Sequence, residues 1–136
     1  MCTDRYDLII CNPPYFSASF KTASTSRNLA RHDDTLGLDE IFHGSVLLMK
    51  EAGLISLILP VQKEAQAMEL IAAHHMSCNR LTRVQPAPGK PFRRILLECS
   101  SIPGNPLEDT LTLETGTRHQ YTAAYKKLMG EFLLGP

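Results

Sequence analysis

Apolar positions in this chain fall into short continuous runs, separated by stretches whose apolar residues return every three or four positions. Leu8, Ile9 and Ile10 make the first run, which reads as a short strand buried on both faces, as in a parallel sheet. It stops at Asn12-Pro13-Pro14-Tyr15, because neither proline donates a backbone N–H and each fixes its own φ. Residues 16–36 are rich in Ser, Thr, Asn, Arg and Asp without a period and read as one long substrate loop. Over residues 38–50, Leu38, Ile41, Phe42, Val46, Leu47, Leu48 and Met49 have helical spacing. Asp39 and Glu40 favour the start of that helix, and Ala52-Gly53 is expected to end it.

Residues 54–59 form the next strand, stopped by Pro60, and residues 64–75 a second helix. Residues 81–85 and 94–99 read as strands flanking the turn at 86–91, expected as an antiparallel pair at one edge of the sheet. Residues 111–114 are a candidate further strand. Residues 121–134 close the chain as a helix, with Tyr121, Ala124, Tyr125, Leu128 and Phe132 at helical spacing. No internal repeat or low-complexity segment interrupts this order, which is that of an α/β fold.

The proline stop sends the chain out of the sheet at the carboxyl end of its first strand, the edge where open α/β sheets bind ligands. An amide, two carbonyls and an aromatic ring are gathered at that point. Such a set suits a planar amino-bearing group. The Asn12 side-chain oxygen and a carbonyl of Pro13-Pro14 can each accept one N–H bond from an exocyclic amino group. Two acceptors set at an angle favour a pyramidal nitrogen and free its lone pair for attack. Tyr15 can stack on the base, an interaction worth roughly 1–3 kcal/mol. Attack on a sulfonium methyl needs little prior proton abstraction, so no adjacent His or Glu base is required.

Composition narrows the class. With 43% hydrophobic and 21% charged residues the chain is globular rather than disordered, and 136 residues suffice for one domain if its sheet is complete. No apolar run approaches the roughly 18–20 residues that span a bilayer, and the start carries no signal-peptide pattern, so no membrane partner is expected. Cys2, Cys11, Cys78 and Cys99 form no C-x-x-C and read as free core thiols, pointing to a reducing, cytoplasmic location. His74 and His75 are helix neighbours that cannot converge on one ion; they read as a helix end, and no metal is expected. Net charge is zero, yet Arg80, Arg83, Lys90, Arg93 and Arg94 follow one another with no acid between residues 70 and 97. Lys21, Arg27 and Arg31 do the same between residues 16 and 32. If both stretches converge on the carboxyl edge of the sheet, they can track a phosphate backbone.

Asn-Pro-Pro-Tyr directly after an Asp-Leu-Ile-Ile strand resembles the signature of amino methyltransferases that act on adenine N6 or glutamine N5. Three further segments extend the likeness over nearly the whole chain. They are Arg27-Asn28-Leu29-Ala30-Arg31-His32, the run from Pro88-Gly89-Lys90-Pro91 through Phe92-Arg93-Arg94 to Glu98, and Tyr121-Thr122-Ala123-Ala124-Tyr125. Together they are similar to the tRNA1(Val) adenine N6-methyltransferase family. That resemblance implies a doubly wound, Rossmann-like sheet, S-adenosylmethionine as cofactor, and tRNA as partner, with the adenine beside the anticodon as target. It implies catalytic roles for Asn12, Pro13, Pro14 and Tyr15, with Asn12 approaching the methyl group, and substrate binding by Arg27, Arg31, His32, Lys90, Arg93 and Arg94. Arg93 and Arg94 face one side together only if they do not both lie in a strand. Tyr121 and Tyr125, one helical turn apart, are expected to pack on each other.

The chain departs from that class in its glycines, which stand at 37, 44, 53, 89, 104, 116, 130 and 135 with no G-x-G to hold a cofactor. The signature strand is normally the fourth, yet here it starts at about residue 6. Residues 1–136 are therefore expected to be a partial catalytic domain, strands four to seven of the sheet. The amino-terminal, cofactor-binding half would belong to a longer parent, and this half alone would be inactive. The bare side of the 6–11 strand is expected to drive self-association or a swap with a neighbour. Two other functions fit the same residues: glutamine N5-methylation of a protein, and a non-catalytic RNA-binding half-domain.

Overall fold

A computed structural model describes residues 4–14 and 37–130. Its five strands form one mixed sheet in the order β1-β2-β4-β3-β5. They are β1 (Tyr6–Cys11), β2 (Met49–Pro60), β3 (Ser77–Gln85), β4 (Arg94–Ser100) and β5 (Leu107–Thr112). The described helices are α1 (Leu38–Leu48), α2 (Glu64–Ala73) and α3 (Ala123–Met129), with a 3₁₀ turn at Val61–Lys63. None is long and apolar enough to cross a membrane. β1 runs parallel to β2 and β3 parallel to β5, while β4 is antiparallel to both β2 and β3.

Local sequence explains the crossovers. Leu38, Ile41, Phe42 and Ser45 repeat at three- and four-residue steps and are the buried residues of α1, with Asp39 and Glu40 complementing its amino-terminal dipole. Ala67 and Ile71, one turn apart, are those of α2. Both helices bury against the same face of the sheet, where Ile55, Leu57 and Leu59 of β2 meet Ile95, Leu97 and Cys99 of β4 in register. Cys78 and Leu81 of β3 extend that core, and Ile9 and Cys11 of β1 pack at its margin. Cys78 and Cys99 face each other across β3 and β4, and their mutual hydrogen bond together with burial pushes the Cys99 thiol far up. His74 Nε2 lies 2.8 Å from Asp39 Oδ1, tying the end of α2 to the start of α1.

The opposite face carries Leu8 and Ile10 of β1, in register with Leu54 and Ser56 of β2. Ile58, Leu96 and Thr82 continue it across β2, β4 and β3. Helix α3, capped by the Thr122 hydroxyl, packs mainly against β5. Tyr121 and Tyr125 pack there with tilted rings, centroids 5.2 Å apart and planes at 59°, the packing expected from their spacing.

Several expectations are corrected. β1 is an edge strand and not buried on both faces: Leu8 is 49% and Ile10 70% exposed. The antiparallel pair is not at an edge, because β4 inserts between β2 and β3 and β5 pairs parallel on the outer side of β3. That outer strand begins at Leu107, earlier than the candidate segment. Helix α1 ends at Leu48, since Met49 is already extended and pairs with Tyr6. The Arg5 guanidinium donates to the carbonyls of Leu47 (3.1 Å) and Met49 (3.3 Å), partnering groups the helix end leaves bare. Residues 50–53 are then a bulge, because Tyr6 pairs with Met49 and Leu8 already with Leu54. Ala52 and Gly53 thus stand inside β2 rather than ending a helix.

Candidate active site

The site is built where the parallel strands end. β1 stops at Cys11, paired with Leu57, and β2 stops at Pro60, paired with Arg94 at the start of β4. Val84 of β3 pairs with the same Arg94, and Gln85 with Thr112 at the end of β5. Asn12-Pro13-Pro14, the 86–93 turn and the segment after Thr112 therefore leave the sheet along one edge. This is the carboxyl edge expected for the motif.

At the motif, Asn12 and Pro14 are exposed and Pro13 is buried. The alternation anchors the turn through one proline and turns the amide and the second proline outward. Pro13 and Pro14 bring carbonyl acceptors without backbone donors of their own. The neighbouring Cys11 thiol, packed at the margin of the core, is pushed up by burial. Tyr15, Arg27, Arg31 and His32 lie outside the described residues.

The 86–93 turn is fixed by its own sequence. Lys90 N–H donates to Ala87 O at 3.1 Å, with Pro88 second and Gly89 third at φ 77°, the residues a type II turn requires. Arg93 is held on both sides, its N–H donating to Val84 O (2.9 Å) and its carbonyl accepting from Val61 N–H (3.0 Å). Lys90, Arg93 and Arg94 are all exposed, and none has an ion pair among the described residues. Arg93 precedes β4 and Arg94 opens it, so the two are not confined to opposite faces of one strand.

Three cations elsewhere, Lys50, Arg80 and Arg83, are engaged by carboxylates. Arg83 lies between Glu64 (2.5 Å) and Glu108 (3.0 Å), Arg80 holds Asp109 (3.0 Å), and Lys50 lies 3.2 Å from Asp7. A cavity of about 290 Å³ opens on the half-covered face between Arg80, Thr82, Leu96, Asp109 and Leu128, away from Asn12. There the Thr82 hydroxyl donates to Asp109 and, with the Arg80 guanidinium, holds its carboxyl below the usual range.

One cation at the edge was not singled out by its sequence. Arg118 stands in a hairpin beyond β5, where Glu114 bridges Tyr121 and Thr115 N–H donates to Gln120 O at 2.8 Å. Only Gly116 and the run of short polar residues around it hinted at a turn there.

The described residues do not form a cradle for S-adenosylmethionine. Their strands are followed by Asn12, Val61, Pro86, Ser101 and Leu113, not by a glycine-rich turn that lets backbone approach a ligand.

No family model matches the chain. It is 37% identical over 131 residues to the tRNA1(Val) (adenine(37)-N6)-methyltransferase of Christiangramia forsetii, covering 96% of this chain and 54% of that protein. It is 38% identical to the protein of the same name from Parabacteroides distasonis, covering 96% and 55%. Against the one from Vibrio vulnificus it is 36% identical, covering 97% and 54%. The chain thus spans about half the length of the curated relatives it matches. Its fold superposes on the crystal structure of a predicted O-methyltransferase from Agrobacterium tumefaciens with a TM-score of 0.66 at 20% identity, over 90% of this chain and 50% of that one. The sheet is accordingly part of a Rossmann-like methyltransferase fold. Along nearly all of its length, this chain is a relative of the tRNA1(Val) (adenine(37)-N6)-methyltransferases.

Proposed function

We propose that this chain is the acceptor side of an enzyme that transfers a methyl group from S-adenosylmethionine to the N6 amino group of an adenine in tRNA, the adenine beside the anticodon. The observation that carries the reading is the position of Asn12-Pro13-Pro14 at the carboxyl end of β1, on the same edge as Lys90, Arg93 and Arg94, exposed cations without an ion pair among the described residues. In this reading residues 1–136 are the carboxyl-terminal part of the catalytic domain. The cofactor is held by a preceding half, which pairs with the free edge of β1; without that half, a second copy of this chain pairs there instead. The enzyme works in the cytoplasm, where its tRNA is.

The chain's own residues do three things in this scheme. Asn12 Oδ1 and a carbonyl of Pro13-Pro14 accept the two amino hydrogens and hold the nitrogen pyramidal. Tyr15 stacks on the adenine. Arg27, Arg31 and His32 join Lys90, Arg93 and Arg94 on the phosphates, which position the RNA without reading its sequence. Glutamine N5-methylation would use the same motif, but an unpaired cationic edge suits a polyanion better than a peptide amide.

The test is methyl transfer from labelled S-adenosylmethionine to unmodified tRNA by a parent protein of the relatives' length, with and without Asn12→Ala. The expected loss in kcat is about 100-fold, the scale for removing one preorganised hydrogen-bonding group from a reacting centre. tRNA affinity should stay unchanged. Undiminished transfer by the variant would sink the role of Asn12. A methylated glutamine peptide with unmodified tRNA would sink the choice of substrate.

A further inference from the structure

The cationic edge runs one loop beyond the residues that the resemblance assigns. After β5, Leu113 N–H donates to Gln85 O at 3.0 Å and Glu114 N–H to Pro86 O at 2.9 Å, so the next hairpin is fastened to the 86–93 turn. Gln120 N–H closes on Thr117 O at 3.0 Å, with His119 left-handed at φ 66°. Arg118 is therefore held in a closed four-residue turn, and it is exposed. It has no ion pair among the described residues. Glu114, the acid of this hairpin, accepts from the His119 N–H and is thereby turned to its own backbone.

The nearby carboxylates are similarly occupied: Glu64 and Glu108 by Arg83, and Asp109 by Arg80 and Thr82. Lys90, Arg93, Arg94 and Arg118 are left as a row of exposed cations on two turns that share a backbone hydrogen bond. Strands in a sheet lie about 4.8 Å apart, so the edge from β1 to β5 measures roughly 19 Å. A row of that length on fixed backbone, beginning at the amide of Asn12, fits an extended polyanion better than one small anion.

We infer that the 115–120 turn is a phosphate-contacting element with Arg118 as its contact, so that an RNA strand whose target base enters at Asn12 runs along the carboxyl edge toward β5. The inference rests on the RNA reading above and gives it a direction across the protein.

The probe is a fluorescent, unmodified 17-nucleotide anticodon stem-loop, titrated with the 136-residue chain by anisotropy over a series of salt concentrations. Arg118→Ala is expected to weaken binding about 3- to 10-fold and to lower the slope of log affinity against log salt by about one, as for one lost phosphate contact. Arg118→Lys should keep the slope. Lys50→Ala, at the amino end of β2, should leave both affinity and slope unchanged. An unchanged slope for Arg118→Ala overturns the inference while leaving the RNA reading in place. Absence of salt-dependent binding by the unsubstituted chain overturns both.

Discussion

Ile9 and Ile10 are neighbours of one residue type in one strand, yet Ile9 packs against the core while Ile10 is 70% exposed. The contrast holds across the sheet. On the face under α1 and α2, Ile55, Leu59, Ile95 and Cys99 are fully buried; on the other, Leu8 and Ile10 are open and α3 packs mainly on β5. The cause is the connections. Both crossovers, β1 to β2 and β2 to β3, lay their helices on the same side, and an apolar strand residue is buried only if an element arrives above it. Among the described residues, no helix arrives over Leu8 and Ile10 on that face.

The largest expected effect tests that contrast directly. Leu97→Ala, on the covered face, should cost about 2–5 kcal/mol, while Ile10→Ala should cost less than about 0.5 kcal/mol, both by urea denaturation. Equal losses would show that something covers Ile10 in solution, and a dependence of the midpoint on protein concentration would identify it as a second copy.

A smaller effect is expected where β1 first meets β2. A Cβ on Gly53 would lie 2.3 Å from Met49 Cγ and 3.0 Å from the carbonyls of Lys50 and Tyr6. Gly53→Ala should therefore destabilise by about 1–3 kcal/mol, the cost of overpacking. A neutral substitution would mean that the bulge at 50–53 relaxes freely and does not fix the register of β1.

The smallest effect lies on the open face. The hydrogen bond from Thr82, aided by Arg80 against the opposing effect of burial, keeps the Asp109 carboxyl below its unfolded value. Its contribution to stability is thus present above the ordinary carboxylate range and is lost as pH falls through the lowered folded value. With the Asp109 side chain 39% exposed, that contribution stays below about 1 kcal/mol. Acid unfolding of the unsubstituted chain and of Asp109→Asn should converge at low pH; a gap that persisted there would mean Asp109 acts through packing instead.

Helix α1 was legible because its buried positions are local, a stripe at three- and four-residue steps that any helix must turn to one side. The end of β1 was legible because two prolines forbid its continuation wherever the chain sits. The place of β4 was not, since an antiparallel hairpin looks the same at an edge as between two parallel strands. Arg118 was missed for a similar reason. Nothing in Thr117-Arg118-His119-Gln120 announces that this turn lies beside one thirty residues earlier, and only the bond from Glu114 N–H to Pro86 O makes them neighbours.

By itself the sequence determined what is written in local chemistry: the proline stop after an apolar strand, the amide beside it, the stripes of α1 and α2, and the Pro-Gly turn that displays Lys90. The tertiary structure decided which of two adjacent isoleucines is covered, which strands are edges, and which cations keep a carboxylate partner and which do not. Those outcomes depend on pairings between residues far apart in the chain, and no local pattern of residues encodes which strand arrives alongside.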